Sequence, residues 1–284
     1  MWQIEDEINF FKSALSGGFA SAKDLFYELN GKSLAYAPKS IKKTIVTLQS
    51  RNSLMGSYTE IWCEKLLAPL ARELGLYAVR GVICKELGMV RNAKMDLGFC
   101  TSEDKIQRVE NIKMIFEIKM SITNNYELKN GKVEFVGDHT THRGSPSLLR
   151  SDSVLKAAGK AINTRLSCED AKKIPIVILG NTHISDYYLD KADNLAQYGV
   201  VQKIISLNPH TGDTKSSPLN HFCTPQNSKE LKEILKGILK QKLYYFSAMI
   251  SKEKLGQAIK KISKTDDEIE LAENFLNELK KAYQ

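Results

Sequence analysis

The sequence predicts an α/β protein, a central sheet flanked by helices, with helical segments at both ends of the chain. Three observations carry this. Apolar residues recur at helical spacing through the first 80 residues. The period then shortens to alternating or continuously apolar runs, interrupted by one helical stretch. From Ser228 the helical period returns. A chain of 284 residues also buries enough apolar surface to fold without disulfide or metal staples.

In chain order, Ile4, Ile8, Phe11 and Leu15 mark a first helix, closed by Gly17-Gly18. A second helix is expected over 20–29, stopped at Asn30-Gly31. Pro38 suits the first turn of a third helix carrying Ile41, Ile45 and Leu48, with Lys39, Lys42 and Lys43 on its other face. A fourth helix covers 57–74, with Tyr58, Ile61, Trp62, Leu66, Leu70 and Leu74 as its stripe and Gly75 as its stop. Strands follow over 77–85, 93–100 and 113–121. Asn130-Gly131, set between 126–128 and 133–136, predicts a hairpin. Ser151 or Ser153 caps a helix reaching about Leu166, with Val154, Leu155, Ala158, Ile162 and Leu166 inward. Strands over 174–179 and 200–207 come next. Strand 113–121, helix 153–166 and strand 174–179 thus form a parallel crossover, expected to be right-handed. After a loop at 208–227, helices start near Ser228, Ser251 and the capping box Thr265-Asp-Asp-Glu268. One domain is expected over 1–284: a helical N-terminal extension at 1–52, an α/β core at 53–208 and a helical C-terminal segment at 228–284.

Forty-one Lys and Arg against 33 Asp and Glu leave a formal charge of +8, which favours a polyanionic partner. The N-terminus lacks the basic region and apolar run of a signal peptide, and no apolar stretch is long enough for a bilayer. The five cysteines have no zinc spacing and are expected as reduced thiols of a cytoplasmic protein. GxGxxG, Walker A, GxSxG and HExxH motifs are absent, which removes the commonest nucleotide-binding, serine-hydrolase and zinc-protease readings.

The chemistry concentrates in two apolar strands. Asp96 stands mid-run in Ala93–Cys100, and Glu117 and Lys119 stand in Phe-Glu-Ile-Lys. Residues two apart in a strand share a face, so Glu117 and Lys119 project together. If the two strands are neighbours, Asp96 joins them. Charges in a core strand are costly unless paired or bound to metal. Two adjacent carboxylates suit a hard divalent cation, and magnesium prefers few protein carboxylates with water and phosphate oxygens completing its shell. A lysine beside them can pair with the carboxylates, a phosphate or an attacking water. This is the equipment of metal-assisted phosphodiester hydrolysis.

Asp96, twenty intervening residues, then Glu117-Ile118-Lys119, after a helix bearing Glu60 in Gly56-Ser-Tyr-Thr-Glu60, resembles the PD-(D/E)xK nuclease superfamily. The order helix, three strands, helix, strand over roughly 53–182 matches that superfamily's restriction-endonuclease-like core. Met95 stands where the family name has proline. Within the superfamily the chain looks most like a type II restriction endonuclease. The resemblance implies Mg²⁺ held by Asp96 and Glu117, Lys119 as the catalytic lysine and Glu60 as an outer or second-ion ligand. It also implies cleavage of double-stranded DNA to 5′-phosphates, a homodimer, and a cognate DNA methyltransferase. A repair or recombination nuclease of the same superfamily is an alternative. Another is a non-catalytic DNA-binding protein in which Asp96, Glu117 and Lys119 form only a salt-bridge cluster.

Several residues are candidates to meet DNA. Lys156, Lys160 and Asn163 lie on the polar side of helix 153–166. The loop His139–Pro146 offers Thr141, His142 and Arg143, with Arg143 suited to a bidentate contact with guanine. Asn181 and His183 follow the strand that ends at Gly180. Lys39, Lys42, Lys43 and Arg51 form an N-terminal basic patch. For each of these a plain solvated surface is the competing reading.

Overall fold

The structure is a computed structural model that describes residues 1–41, 46–211, 216–241, 243, 252–262 and 267–282. It opens with helix α1 (Ile4–Ser16), a single turn α2 (Ala22–Leu25), a hairpin of β1 (Tyr27–Leu29) and β2 (Lys32–Leu34), and the long helix α3 (Gln49–Glu73). Strands β3 (Tyr77–Arg80), β4 (Leu97–Cys100) and β5 (Ile112–Ile118) then run antiparallel. A second hairpin, β6 (Asn125–Lys129) and β7 (Lys132–Gly137), leads to helix α4 (Ser151–Ser167). Strand β8 (Ile176–Gly180) follows and pairs parallel to β5, so the predicted crossover is present. Helix α5 (Leu189–Gln197), β9 (Lys203–Ser206) and β10 (Phe222–Cys223) extend the parallel half of the sheet. Helices α6 (Ser228–Leu239), α7 (Lys252–Ile262) and α8 (Glu268–Ala282) complete the described chain.

The result is a mixed six-stranded sheet, ordered β10-β9-β8-β5-β4-β3, with helices on both faces. The period of two in β5 divides the core. Met114, Phe116 and Ile118 face one side, where they join Phe10, Phe11, Met55, Leu67 and Leu231 from α1, α3 and α6. Ile115 faces the other, with Val154, Ala157 and Ala161 of α4 and Ala192 of α5.

The segment 1–52 departs from its helical expectation. Asn30-Gly31 is a hairpin turn rather than a helix stop, with φ of 51° and 75°. Asn130-Gly131 turns the same way, at 49° and 74°. The two hairpins join through β2 and β6 into a four-stranded antiparallel sheet. No helix starts at Pro38, which instead bridges antiparallel to His142. The backbone of 35–36 is committed elsewhere: the Ala35 N–H donates to the Tyr126 carbonyl at 2.8 Å, and the Tyr36 N–H to Asn125 Oδ1 at 2.8 Å. Ile45, Lys42 and Lys43 lie outside the described residues. Helix α3 starts at Gln49, earlier than expected.

Helix α4 is rotated relative to the predicted stripe. Leu155, Ile162 and Leu166 are exposed, and the buried set is Val154, Ala157, Ala158, Ala161, Thr164 and Arg165. Alanines let the helix lie close on the sheet. Arg165 is accommodated because its guanidinium donates to the carbonyls of Ala171, Ile174 (2.6 Å) and Gly199 (3.0 Å) and to Gln202 Oε1 (2.8 Å).

At the C-terminus the Asn227 side chain caps α6 by accepting from the Glu230 N–H at 2.9 Å. Ser251 and Thr265 lie outside the described residues; Asp267 caps α8, accepting from the N–H groups of Ile269 and Glu270. The five cysteines are free thiols, and all but Cys168 are buried packing residues. Among the described residues no helix is long and apolar enough to cross a membrane.

Candidate active site

The register of β4 on β5 pairs Leu97 with Phe116, which sets Asp96 opposite Glu117. Asp96 is not mid-strand; it occupies the bend just before β4. Its Oδ2 accepts from the Ile118 N–H at 2.8 Å, tying the start of β4 to the end of β5. Glu117, buried at 7% exposure, is the penultimate residue of β5. Lys119 lies just past the strand, but its N–H still donates to the Leu179 carbonyl of β8 at 2.7 Å. The Lys119 ammonium pairs with the Glu117 carboxylate and stands 3.8 Å from Asp96 Oδ2.

A second ammonium completes the cluster. Lys160 Nζ of α4 lies 2.6 Å from Glu117 Oε1 and 3.6 Å from Asp96 Oδ1. The rotation of α4 brings it there, because Ala157 and Ala161 flank it and leave the sheet face open. Lys160, expected from the sequence to reach DNA phosphates, therefore pairs with the carboxylates. Glu60 of α3 is close enough to Asp96 to sense its charge, and its Oε2 is 3.8 Å from Arg80 Nη1. Glu64 takes the other side of that guanidinium, with Arg80 Nε 3.4 Å from its Oε2.

The electrostatics follow from this crowding. Burial, and then the Asp96 charge, raise the Glu117 carboxyl above its ordinary value, and the two lysines offset this only in part. Glu60 is raised for the same two reasons, burial first and Asp96 second. Burial lowers Lys160, but Asp96 and Glu117 outweigh it, so its ammonium is held more firmly than usual.

Asp96 and Glu117 suit a hard divalent ion on one observation: both carboxylates already lie within 3.6 Å of a single cationic nitrogen, that of Lys160. Among the described residues no group of three or more His, Cys, Asp and Glu side chains is gathered for a metal. A two-carboxylate site that relies on water and phosphate oxygens is the arrangement magnesium accepts.

Two clefts flank the cluster. One, of about 670 Å³, is lined by Lys119, Ser121, Arg143, Ser147 and Arg150. The other, of about 590 Å³, is lined by Asp96, Glu117, Lys160, Asn163, Arg91 and Lys94. Sequence reading missed Arg80, Arg91, Lys94 and Arg150. Arg91 and Lys94 carried a usable signal, since they sit in the polar turn just before Asp96. Arg80 carried none without the β3–β4 register, which sets it opposite Leu97.

The expected DNA-reading residues divide sharply. Arg143 is exposed at the first cleft, with Nη1 donating to the Ile41 carbonyl at 2.8 Å. Thr141 is exposed, and its Oγ1 donates to the Asp138 carbonyl. His142 is not a reading residue in this fold. It is buried, stacks on Tyr36 at a centroid distance of 4.1 Å, and uses both ring nitrogens, Nδ1 accepting from the Gly144 N–H and Nε2 bonded to the Thr123 carbonyl. Burial lowers its pKa. Asn181 is likewise buried, with Oδ1 accepting from the Ser121 N–H and Nδ2 donating to the Ser121 carbonyl. His183 is half-buried beside His139, ring centroids 5.6 Å apart. Lys156 points to solvent and pairs with Asp152 at 3.2 Å, away from the carboxylates that Lys160 meets. Arg51 leaves the N-terminal basic patch: it is buried and donates to the carbonyls of Leu25 and Ala35.

No protein-family profile, curated protein or solved structure matches this chain.

Proposed function

We propose that this protein is a Mg²⁺-dependent type II restriction endonuclease that hydrolyses double-stranded DNA at a specific sequence. One observation carries the reading: the β4–β5 register gathers Asp96, Glu117 and Lys119 on one face, between two clefts whose exposed rims are largely basic. The order α3, three antiparallel strands, α4 and a parallel β8 also agrees with the restriction-endonuclease-like core of the PD-(D/E)xK superfamily.

In this reading Asp96 and Glu117 hold Mg²⁺, which when bound polarises the scissile phosphate. Lys119 orients the attacking water and offsets charge gathering on the phosphorane. The water oxygen bonds to phosphorus, the bond to the 3′ oxygen breaks, and that oxygen takes up a proton. The products are a 5′-phosphate and a 3′-hydroxyl. Glu60, backed by Arg80, stands behind Asp96 as an outer carboxylate. Cutting both strands of a palindrome calls for a homodimer, and a restriction enzyme works beside a cognate methyltransferase.

A second reading rests on the same cluster. Two lysines already neutralise the two carboxylates, as in a purely structural ion-pair group on a DNA-binding protein. Plasmid of known sequence, incubated with Mg²⁺, separates the readings. Discrete fragments with mappable 5′-phosphate ends, abolished by EDTA and by Lys119→Ala, support restriction. Cleavage confined to branched DNA supports a repair role. Binding without cleavage at any Mg²⁺ concentration overturns the nuclease reading.

A further inference from the structure

Lys160 is the cation that the catalytic trio does not need. Asp96 and Glu117 are one residue pair across the β4–β5 register, and Lys119 already serves both. Yet Lys160, from a different element, lies 2.6 Å from Glu117 and 3.6 Å from Asp96. It therefore bridges the two groups that would ligate a divalent ion, from the cleft side on which that ion would enter. A metal ion and this ammonium compete for the same oxygens.

The other feature is its exposure. The Lys160 side chain is 57% exposed, against 18% for Lys119, and it hangs from helix α4 rather than from the chain at the end of β5. The outer part of a lysine stem swings freely at low cost. Asn163 and Thr164 share its cleft, and Arg91 and Lys94 form the basic rim of the same cleft. A phosphate entering there meets cations on several sides.

Resting on the nuclease reading above, we propose that Lys160 is a resident counter-ion that holds the metal site closed until DNA arrives. Without DNA it neutralises Asp96 and Glu117, and a divalent ion gains little by displacing it. With DNA bound, the ammonium transfers from the carboxylates to a backbone phosphate of the cleaved strand. The carboxylates are then free for the ion. Metal and DNA consequently bind with positive coupling, and by linkage each strengthens the other by the same factor. Lys160 is a positioning residue in this scheme; it orders the assembly of the site and takes no part in bond breaking.

The test measures metal binding rather than cleavage. Mn²⁺ affinity, read by EPR without DNA, is compared for the wild-type chain, Lys160→Met and Lys160→Arg. Methionine keeps most of the unbranched stem and removes the charge. An exposed ion pair is worth about 1.4- to 5-fold, so a cation that meets two carboxylates weakens a competing cation by about 2- to 30-fold. Lys160→Met should therefore bind Mn²⁺ about 2- to 30-fold more tightly than wild type, and Lys160→Arg should stay near wild type. In Ca²⁺ titrations, the wild-type duplex affinity should rise with the ion, and that rise should shrink in Lys160→Met. Equal Mn²⁺ affinity in wild type and Lys160→Met, with both binding the ion, overturns the counter-ion role and leaves the nuclease reading standing. Absence of divalent binding by either protein, with or without duplex, overturns the nuclease reading itself. Far-UV circular dichroism of each variant confirms that a folded chain is being compared.

Discussion

Asp96 has two duties in this structure, and two substitutions separate them. Its Oδ2 accepts from the Ile118 N–H at 2.8 Å, and its Oδ1 faces the Lys160 ammonium at 3.6 Å. Asp96→Ala removes both. The N–H of Ile118 then lies beside a largely buried strand with no acceptor, which costs about 1–3 kcal/mol. At about 2–4 °C per kcal/mol for a large domain, the melting temperature should fall by about 2–12 °C. Asp96→Asn keeps an oxygen for the backbone bond and removes only the charge, so its melting temperature should stay close to wild type. Both should lose cleavage. A lost metal ligand forfeits several kcal/mol of transition-state stabilisation, and about 3–5 kcal/mol corresponds to a fall of about 10²- to 10⁴-fold. Calorimetry and single-turnover cleavage in Mg²⁺ read the two effects separately. If Asp96→Asn cuts within tenfold of wild type, Asp96 is not a metal ligand. If Asp96→Ala melts with wild type, the bond to Ile118 contributes nothing.

Other expectations follow from the same geometry. Glu117 is raised in the folded chain by burial and by Asp96, so between the ordinary value of 4.5 and its raised value the folded state holds an extra proton. Its contribution to metal-free stability is therefore full below that window and lost as pH rises through it; urea midpoints in EDTA should show wild type losing ground to Glu117→Gln as pH climbs, and a constant difference refutes the shift. Arg143→Ala should weaken cognate duplex binding in Ca²⁺ by about 10- to 150-fold if the guanidinium reads guanine, whereas a uniform loss on all sequences with a salt slope lower by about one unit marks a phosphate contact. No change in either filter-binding series would make Arg143 a structural residue of its loop, bonded to the Ile41 carbonyl. Arg165→Met should cost about 2–5 kcal/mol, because the buried Ile174 and Gly199 carbonyls lose the guanidinium that serves them, while the Ala171 carbonyl and Gln202 Oε1 keep only the N–H groups of Ile174 and Ile176; a loss below about 1 kcal/mol in urea denaturation would mean that they find water instead.

The sheet was legible because its signals are local. Period two in Phe-Glu-Ile-Lys placed Glu117 and Lys119 on one face without reference to any partner. The N-terminal hairpin was not legible, although Asn30-Gly31 and Asn130-Gly131 are the same dipeptide in the same conformation. Only the second is flanked by clear alternation; β1 and β2 owe their form to β6, about a hundred residues away in the chain. The stripe of α4 misled for a different reason. Leu155, Ile162 and Leu166 outweigh alanines in any hydrophobic periodicity, but close packing on a sheet favours the alanines, and the rotation that follows is what delivers Lys160 to the carboxylates. His142 and Asn181 look the same in sequence whether they read a base or hold a loop. The difference lies in Tyr36, Thr123 and Ser121, which no spacing rule connects to them.

His142 and Asn181 help to hold the chain where it leaves β5. Beyond Ile118 the chain leaves the sheet, and Lys119 would be free to wander if nothing fixed its backbone. Ser147 Oγ donates to the Lys119 carbonyl at 2.6 Å and accepts from the Asn181 N–H at 3.0 Å. The Ser147 N–H donates to Ser121 Oγ, and Asn181 binds both the N–H and the carbonyl of Ser121. His142 takes the Thr123 carbonyl, and the buried Glu7 of α1 accepts from Thr123, Asn124 and Tyr126. Lys119, Ser121, Thr123, Asn124 and Tyr126 are thus each hydrogen-bonded, as are Ile122, by the Tyr36 hydroxyl, and Asn125, by the Tyr36 backbone. Such a polar lattice is costly to assemble and rigid once complete. Asp96 is tied to the Ile118 N–H through its side chain and Lys119 to β8 through its backbone, which is the preorganisation that the proposed reaction would require. Outside this lattice lie the exposed side chains at the two clefts, Lys160 and Arg143 among them. A fixed trio at the adjoining ends of β4 and β5, with exposed cations around it, is the division of labour that the proposed nuclease would need, since its chemistry is constant and its polyanion must first be captured.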